Sequence, residues 1–487
     1  MVFGVIDEPD QQRQSVAAFY PDHEGNLAIF GTGGAGKSTA LRSLAIAAGL
    51  TARGGPCQVY GLDFSSRGLD MLADLPHVGA IIAADEGDRL RRLMRTLLAA
   101  ADDRARRYAA VRAGTVTEYR RVAGQPDEPR IIILLDGFTA FRQQYESAEG
   151  GRWFDALANL AADGRPLGIH LILTADRPAS LPSRFSSRVQ RRLLLRLADD
   201  SDYFMAGTEA GMLTPDSPPG RGLFGRAEFQ VAVFGGETGN TAQARAISQL
   251  TAAMRRQQVS DAPRVDQLRG IVRLSELPAT ADGRPAIGVA DDTLGPVGFK
   301  PEGVFLISGP PSSGRTTAAA TAMIALDRAA PGVVPVFFGG SRSPLASLGI
   351  WQQIATDPAE VAEAAAKIDQ AAVGSEGGRR YAVVIEAVNE YLSTPADAPL
   401  AAMIKTLARL GHVVIAEAET SALGGAWPLL NAVKSARTGL ALQPEQGDGT
   451  IVYKTDFPRS RRGDYPPGRG LLVEGGRVRL LQVAIPE

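Results

Sequence analysis

The run Gly31-Thr32-Gly33-Gly34-Ala35-Gly36-Lys37-Ser38-Thr39 has the residue types and spacing of a phosphate-binding loop. That pattern is a glycine, four free positions, glycine-lysine and then a hydroxyl residue, and Gly31, Gly36, Lys37 and Ser38 fill its fixed places. Glycine lets the backbone curl closely enough for successive N–H groups to face phosphate oxygens, and the helix that follows adds partial positive charge at its N-terminus. Lys37 is the group expected on the β- and γ-phosphates of ATP, and Ser38 the hydroxyl expected on Mg2+. Further along, the apolar run from Ile131 to Leu135 ends in Asp136, the form of the acid that steadies the Mg2+ shell in such sites. The next residue is Gly137, where phosphate-loop motors carry a glutamate that orients the attacking water. A glycine offers no acceptor. The expectation is a site that binds ATP–Mg2+ and hydrolyses it slowly unless another acid takes that part, and no residue is assigned as catalytic.

The elements that must position these groups are legible around them. Asn26 to Phe30 reads as a short buried strand entering the loop, and Ala40 to Ala45 as a helix leaving it. The runs Gln58 to Leu62, Ile131 to Leu135, Ile169 to Leu173 and Arg192 to Leu197 read as parallel core strands. Leu90, Leu93, Met94, Leu97 and Leu98 recur at helical spacing. This alternation predicts an α/β fold, a mostly parallel sheet flanked by helices.

The chain then repeats itself. Val304 to Ser308 leads into Gly309-Pro310-Pro311-Ser312-Ser313-Gly314-Arg315-Thr316-Thr317 and an alanine-rich helix. Ahead of the two loops lie the related segments Phe3 to Glu8 and Ile287 to Asp292. Behind them lie Pro219-Gly220-Arg221-Gly222 and Pro467-Gly468-Arg469-Gly470, each followed by a strand-like run. Three landmarks in one order imply two tandem RecA-like P-loop domains, at 1–260 and 287–487, joined by 261–286. Leu268, Val272, Leu274 and Leu277 are expected to pack the joining segment rather than leave it loose.

The second loop departs from the first. Arg315 replaces the lysine, and its planar fork reaches less readily along a phosphate chain. Pro310 and Pro311 carry no N–H. The matching strand, Tyr381 to Ile385, ends in Glu386 followed by Ala387. Gly309, Ser312, Ser313, Gly314, Arg315, Thr316, Thr317 and Glu386 thus outline a degenerate site two, from which no hydrolysis is expected. Whether it holds nucleotide stays open.

Bulk properties narrow the class. A chain of 487 residues exceeds a single core. With 52 basic against 53 acidic residues it has no net field that would favour nucleic acid. The single cysteine, Cys57, excludes an internal disulfide and fits a reducing compartment. No apolar run approaches the roughly 18–20 residues needed to cross a bilayer, and the acidic first residues do not begin a signal peptide. His23, His77, His170 and His412 lack metal-ligand spacing; a structural hydrogen bond suits His170 and His412. Trp153, Trp351 and Trp427 are scattered as core residues are. The basic run from Arg89 to Arg121, diluted by Asp85, Asp88, Asp102 and Asp103, reads as a solvated face before a DNA groove. Arg188, Arg191 and Arg192 are candidate donors of charge to an adjoining site.

Taken in order, several segments resemble the FtsK/SpoIIIE branch of phosphate-loop ATPases, and within it the EccC family of type VII secretion. In the first half they are Gly4-Val5-Ile6-Asp7-Glu8-Pro9, the loop itself, Leu75-Pro76-His77-Val78-Gly79, Leu135-Asp136-Gly137, Gly168 to Thr174 with Arg177-Pro178, and Pro219 to Gly222. Gly411-His412-Val413-Val414-Ile415 echoes them in the second half. The likeness is to the second and third ATPase domains of that family, which are degenerate. Gly137 and Ala387 stand where active relatives carry glutamate, and Ala175-Asp176 where DNA translocases carry a polar sensor pair. The resemblance implies secreted helical-hairpin substrates of the WXG type, docking through a C-terminal signal on the second domain. It also implies membrane-anchored secretion components as partners, an oligomer in the full assembly, and a cytoplasmic place at the inner face of the plasma membrane. A DNA translocase is the rival reading, and a self-contained ATP switch the third.

Overall fold

The strand that ends in Asp136 shows how the sheet is made. Its run of consecutive apolar residues is buried on both faces: Ile131, Ile133 and Leu135 enter one core, Ile132 and Leu134 the other. The counterpart in the second half behaves alike, with Tyr381, Val383 and Ile385 on one face and Ala382 and Val384 on the opposite one. A continuous apolar run with two-residue periodicity is what a central strand between two helical layers requires. The computed structural model describes residues 1–487 apart from 51–55, 209–210, 215, 226, 375–378, 459–462 and 464. It divides into two units, Met1–Asp266 and Gln267–Glu487.

In the first unit the strands are β1 (Val2–Glu8), β2 (Arg13–Ala18), β3 (Asn26–Phe30), β4 (Cys57–Asp63), β5 (Val78–Ala83), β6 (Arg130–Asp136), β7 (Ile169–Ala175), β8 (Val189–Leu195), β9 (Arg221–Phe224) and β10 (Ala227–Val231). They lie in the order β2-β1-β10-β9-β8-β3-β7-β6-β4-β5. From β8 to β5 every pair is parallel, and from β8 to β2 every pair is antiparallel. The second unit has β11 (Thr280–Ala281), β12 (Arg284–Ala290), β13 (Pro296–Gly298), β14 (Gly303–Gly309), β15 (Val333–Phe338), β16 (Gln353–Ala355), β17 (Arg380–Ile385), β18 (Val413–Glu419), β19 (Gly439–Leu442), β20 (Arg469–Glu474) and β21 (Arg477–Val483). Its order, β11-β12-β21-β20-β19-β14-β18-β17-β15-β16, with β13 beside β12, repeats the first. Both units are therefore mixed, mostly parallel α/β sheets flanked by helices. The antiparallel wing is larger than the sequence suggested, and β5 was legible only as a motif.

The repeated Pro-Gly-Arg-Gly has a mechanical role in both units. The Gly220 N–H donates to the Ala35 carbonyl of the phosphate loop at 2.8 Å, and the Gly468 N–H to the Ser313 carbonyl at 2.9 Å. The turn thus clasps the loop from the antiparallel wing. The second glycine of the motif lets the neighbouring strand come close: a Cβ on Gly222 would lie 2.4 Å from the Leu194 carbonyl oxygen, and one on Gly470 2.3 Å from that of Ala441. Arg221 holds an acid on the sheet, Glu228 at 3.3 Å. Arg469 instead donates to the carbonyls of Leu268 and Arg269 at 2.8 and 2.9 Å.

The joining segment is packed along its length. The Ala262 N–H donates to the Pro76 carbonyl at 2.7 Å and Val265 sits in a first-unit core. Val272, Leu274, Leu277 and Ala281 sit in a second-unit core. Trp153 is core, whereas Trp427 is 45% exposed, contrary to its expected burial. No described helix is long and apolar enough to cross a membrane.

Gly222→Ala is expected to destabilise the chain by about 1–3 kcal/mol, the usual cost of overpacking against an immovable backbone. Urea denaturation checks this; an unchanged midpoint would contradict the close-approach reading.

Candidate functional site

In the first unit, β3 delivers the phosphate loop and the helix Lys37–Gly49 leaves it. Gly34 and Gly36 take positive φ, +73° and +104°, which curls the loop around its own interior. Lys37 Nζ donates to the carbonyls of Gly31 and Thr32 (3.1 Å to the latter) and to Asp176 Oδ1 at 2.9 Å. Ser38 Oγ donates to Asp136 Oδ2 at 2.6 Å. Thr174 Oγ1, on β7, donates to Asp136 Oδ1 at 2.6 Å and accepts the Gly137 N–H at 2.9 Å. Burial holds the Asp136 carboxyl above the usual carboxylate range; the bonds from Ser38 and Thr174 oppose this and the charge of Asp63 adds to it. All ten residues assigned to site one thus gather at the ends of β3 and β6.

Four neighbours carry chemistry that the sequence reading gave no role. Thr174 links β7 to β6. Asp63, in register with Asp136 at the end of β4, has its oxygens on the N–H groups of Ser65 (3.1 Å) and Leu69 (2.9 Å). Arg42 lies buried below the loop, donating to the Gly68 carbonyl at 2.7 Å and to Asn240 and Gln243. Asp176, largely exposed at the loop mouth, accepts from Lys37. Of these, Asp63 was findable, because β4 visibly ends in an acid.

Gly137 is more than a missing glutamate. Its φ is +84°, and a Cβ there would lie 2.9 Å from the Phe64 carbonyl oxygen and 3.3 Å from the Ser65 nitrogen. The backbone following β4 therefore stands where a side chain at 137 would begin. The position is closed as well as empty.

Site two has the same strands and different partners. Arg315 Nε donates to Glu417, and its Nη1 to the Gly309 carbonyl at 2.5 Å. Glu386 accepts from Ser343 Oγ at 2.8 Å. Burial raises its carboxyl above the ordinary range, Ser343 counteracts, and the nearby Glu417 charge raises it further. Ser312 holds φ +61°, a left-handed conformation that Gly34 adopts at less cost in site one.

Other singled-out residues are structural. In the basic run, Arg104 is buried on the carbonyls of Leu167 and Pro129 (2.8 and 2.7 Å) and on Glu128. Arg107 pairs with Asp103 and Glu128, and Arg89 with Glu86 and the Val265 carbonyl. Arg95, Arg106, Arg112 and Arg121 are exposed, as a solvated face requires, while Arg89, Arg104 and Arg107 also serve as ties within the chain. Arg191 pairs with Glu24 at 3.1 Å. His170 Nδ1 lies 3.2 Å from the Gly25 carbonyl, and His412 Nδ1 accepts the Tyr381 N–H at 3.1 Å. No metal-type cluster of His, Cys, Asp and Glu occurs among the described residues.

Gly137→Glu is expected to leave ATP turnover unrestored and to lower stability by roughly 1–3 kcal/mol, the cost of a non-glycine residue in this strained backbone. A steady-state phosphate-release assay with thermal denaturation checks both; a rise in turnover would show that the site lacks only the carboxylate.

Residues 5–210 match the FtsK/SpoIIIE family. The ESX secretion system protein EccC of Thermomonospora curvata is 28% identical over 329 residues, 65% of this chain and 25% of that protein. The ESX-1 secretion system protein EccCb1 of Mycolicibacterium smegmatis is 29% identical over 231 residues, 45% of this chain and 37% of that one. The chain therefore spans well under half the length of these relatives. Among solved structures, ATPases 2 and 3 of T. curvata EccC in complex with a signal sequence peptide superpose with a TM-score of 0.73 at 24% identity, covering 100% of this chain and 93% of that one. EssC (ATPases 2 and 3) from Geobacillus thermodenitrificans gives 0.76 at 21% identity, covering 100% and 96%. Residues 5–210 thus match the FtsK/SpoIIIE family, and the chain as a whole resembles in fold ATPases 2 and 3 of EccC and EssC.

Proposed function

We propose that this chain is an ATP-binding module of a type VII secretion translocase, in which ATP–Mg2+ at site one is a structural and regulatory ligand rather than a fuel. The observation that carries the reading is the closed position at Gly137 beside an otherwise intact cradle. Lys37 sits with its ammonium among oxygen acceptors, two carbonyls and an exposed carboxylate, for which phosphate oxygens are natural competitors. Ser38 and Asp136 are already joined, a hydroxyl and a carboxylate suited to Mg2+. The residues present fit the nucleotide. When bound, Mg2+ would supply charge neutralisation of the phosphates. This chain's own groups hold and orient the phosphates, while the Phe64–Ser65 backbone occupies the place of a water-aiming side chain.

A ligand held tightly and consumed slowly stabilises its domain by mass action, about 2.7 kcal/mol at a hundred-fold excess over its dissociation constant. The second unit is the proposed dock for the C-terminal signal of WXG-type helical-hairpin substrates, in a cytoplasmic assembly with membrane-anchored components. The T. curvata complex with a signal sequence peptide supports this. The carboxylates paired with Arg89, Arg104 and Arg107 dilute the positive field of the run, which weighs against DNA.

With saturating ATP–Mg2+ the full chain is expected to melt several degrees higher, and Lys37→Ala to lose that shift while its ligand-free stability stays similar. A WXG-type C-terminal peptide is expected to bind the full chain in isothermal titration. Brisk turnover abolished by Lys37→Ala would overturn the regulatory reading. Steeply salt-dependent duplex binding would favour the DNA translocase.

A further inference from the structure

The second cradle contains a guanidinium and two carboxylates that the proposed function leaves unused. Strand register identifies their counterparts. On β3 and β7, Ile29 faces Thr174; on β14 and β18, Ile307 faces Glu417. Each isoleucine stands two residues before the first glycine of its loop. Glu417 therefore occupies the place of Thr174.

It also does part of the same work. Thr174 Oγ1 accepts the Gly137 N–H at 2.9 Å, and Glu417 Oε2 accepts the Ala387 N–H at 2.9 Å. The other oxygen differs in consequence. Thr174 donates to Asp136, whereas Glu417 Oε1 receives Arg315 Nε, and Arg315 reaches on to the Gly309 carbonyl. The side chain of Glu417 is 3% exposed, against 70% for Asp176, the partner of Lys37. Asp176 can rotate into solvent when a phosphate arrives. Glu417 is pinned by a backbone N–H inside the sheet.

We infer that Arg315 and Glu417 fill site two themselves, that this unit takes no Mg2+–nucleoside triphosphate, and that Glu417 is the residue that decides it. A phosphate taking Arg315 would leave a buried carboxylate without its cation, beside an incoming anion. Glu386, turned to Ser343, does not reproduce the Ser38–Asp136 pairing. The prolines are secondary. Pro310 stands at the position of Thr32, whose N–H is spent on the Arg196 carbonyl at 2.8 Å, so only Pro311 removes a donor from the cradle. The ion pair thus replaces the nucleotide as the tie between β14, β17 and β18.

The test uses the full chain carrying Lys37→Ala, so that site two is read alone and its result does not depend on the reading of site one. Binding of a fluorescent ATP analogue with Mg2+ is titrated for this chain, for the same chain with Arg315→Lys and Glu417→Thr, and for the same chain with Glu417→Gln. Circular dichroism reports folding. The expected results are no saturable binding for Lys37→Ala alone, and one site per chain after the double exchange. Glu417→Gln should give an affinity at least roughly tenfold above the Lys37→Ala background. Saturable binding by Lys37→Ala alone overturns the inference, as does a folded double exchange that gains nothing. If the double exchange fails to fold, the near-isosteric Glu417→Gln decides: a gain supports the inference and no gain overturns it. Failure of the unsubstituted chain, titrated alongside, to bind any triphosphate would contradict the reading of site one instead.

Discussion

In each half, one side chain on the strand beside the metal-type acid fixes the backbone that follows that acid. Thr174 takes the Gly137 N–H in the first unit, and Glu417 takes the Ala387 N–H in the second. The backbone must be held there because it turns through left-handed φ directly after the strand, at +84° for Gly137 and +47° for Ala387. A hydroxyl can hold it and still donate to Asp136, leaving Lys37 free to change partners. A carboxylate can hold it only by bringing a charge into the core, and that charge claims Arg315. The exchange of Thr174 for Glu417 at one register position, together with Arg315 in place of Lys37, sets the chemical difference between the halves.

The first unit combines grip and restraint through the same geometry. The close packing that presents Asp136 to Ser38 brings the end of β4 against Gly137, so the groups that hold a metal and phosphates are assembled while a water-aiming residue is excluded. The Gly220 clasp fixes the loop from the opposite wing, and its repetition at Gly468 keeps the same frame in a unit whose cradle has changed. Conservation of frame with divergence of partners is what a duplicated domain shows when one copy ceases to need the ligand.

Much of this was legible in the residues. The phosphate loop, the strand ending in Asp136, and the three repeated landmarks required only local pattern and spacing. The central strands were visible because Ile131 to Leu135 is apolar on both faces. The antiparallel wing was less visible, since β1 and β10 carry polar residues and take their place through long-range pairing. The roles of Thr174, Asp176 and Glu417 were hidden for the same reason: each acts on a residue far away in sequence. The wall at Gly137 depends on Phe64, whose carbonyl position no periodicity reports. In the arginine run only the inward ties were hidden, because Arg104 reaches the carbonyls of Leu167 and Pro129, which sequence does not display.

The most direct measurement is the fate of a single equivalent of radiolabelled ATP incubated with the full chain and Mg2+, then released by denaturation after a long interval. Retention as intact triphosphate, lost from the Lys37→Ala chain because it no longer binds, is the predicted result. Recovery as ADP and phosphate would contradict the account, since it would require a water-activating group other than one at position 137, where the Phe64–Ser65 backbone leaves no room for a side chain.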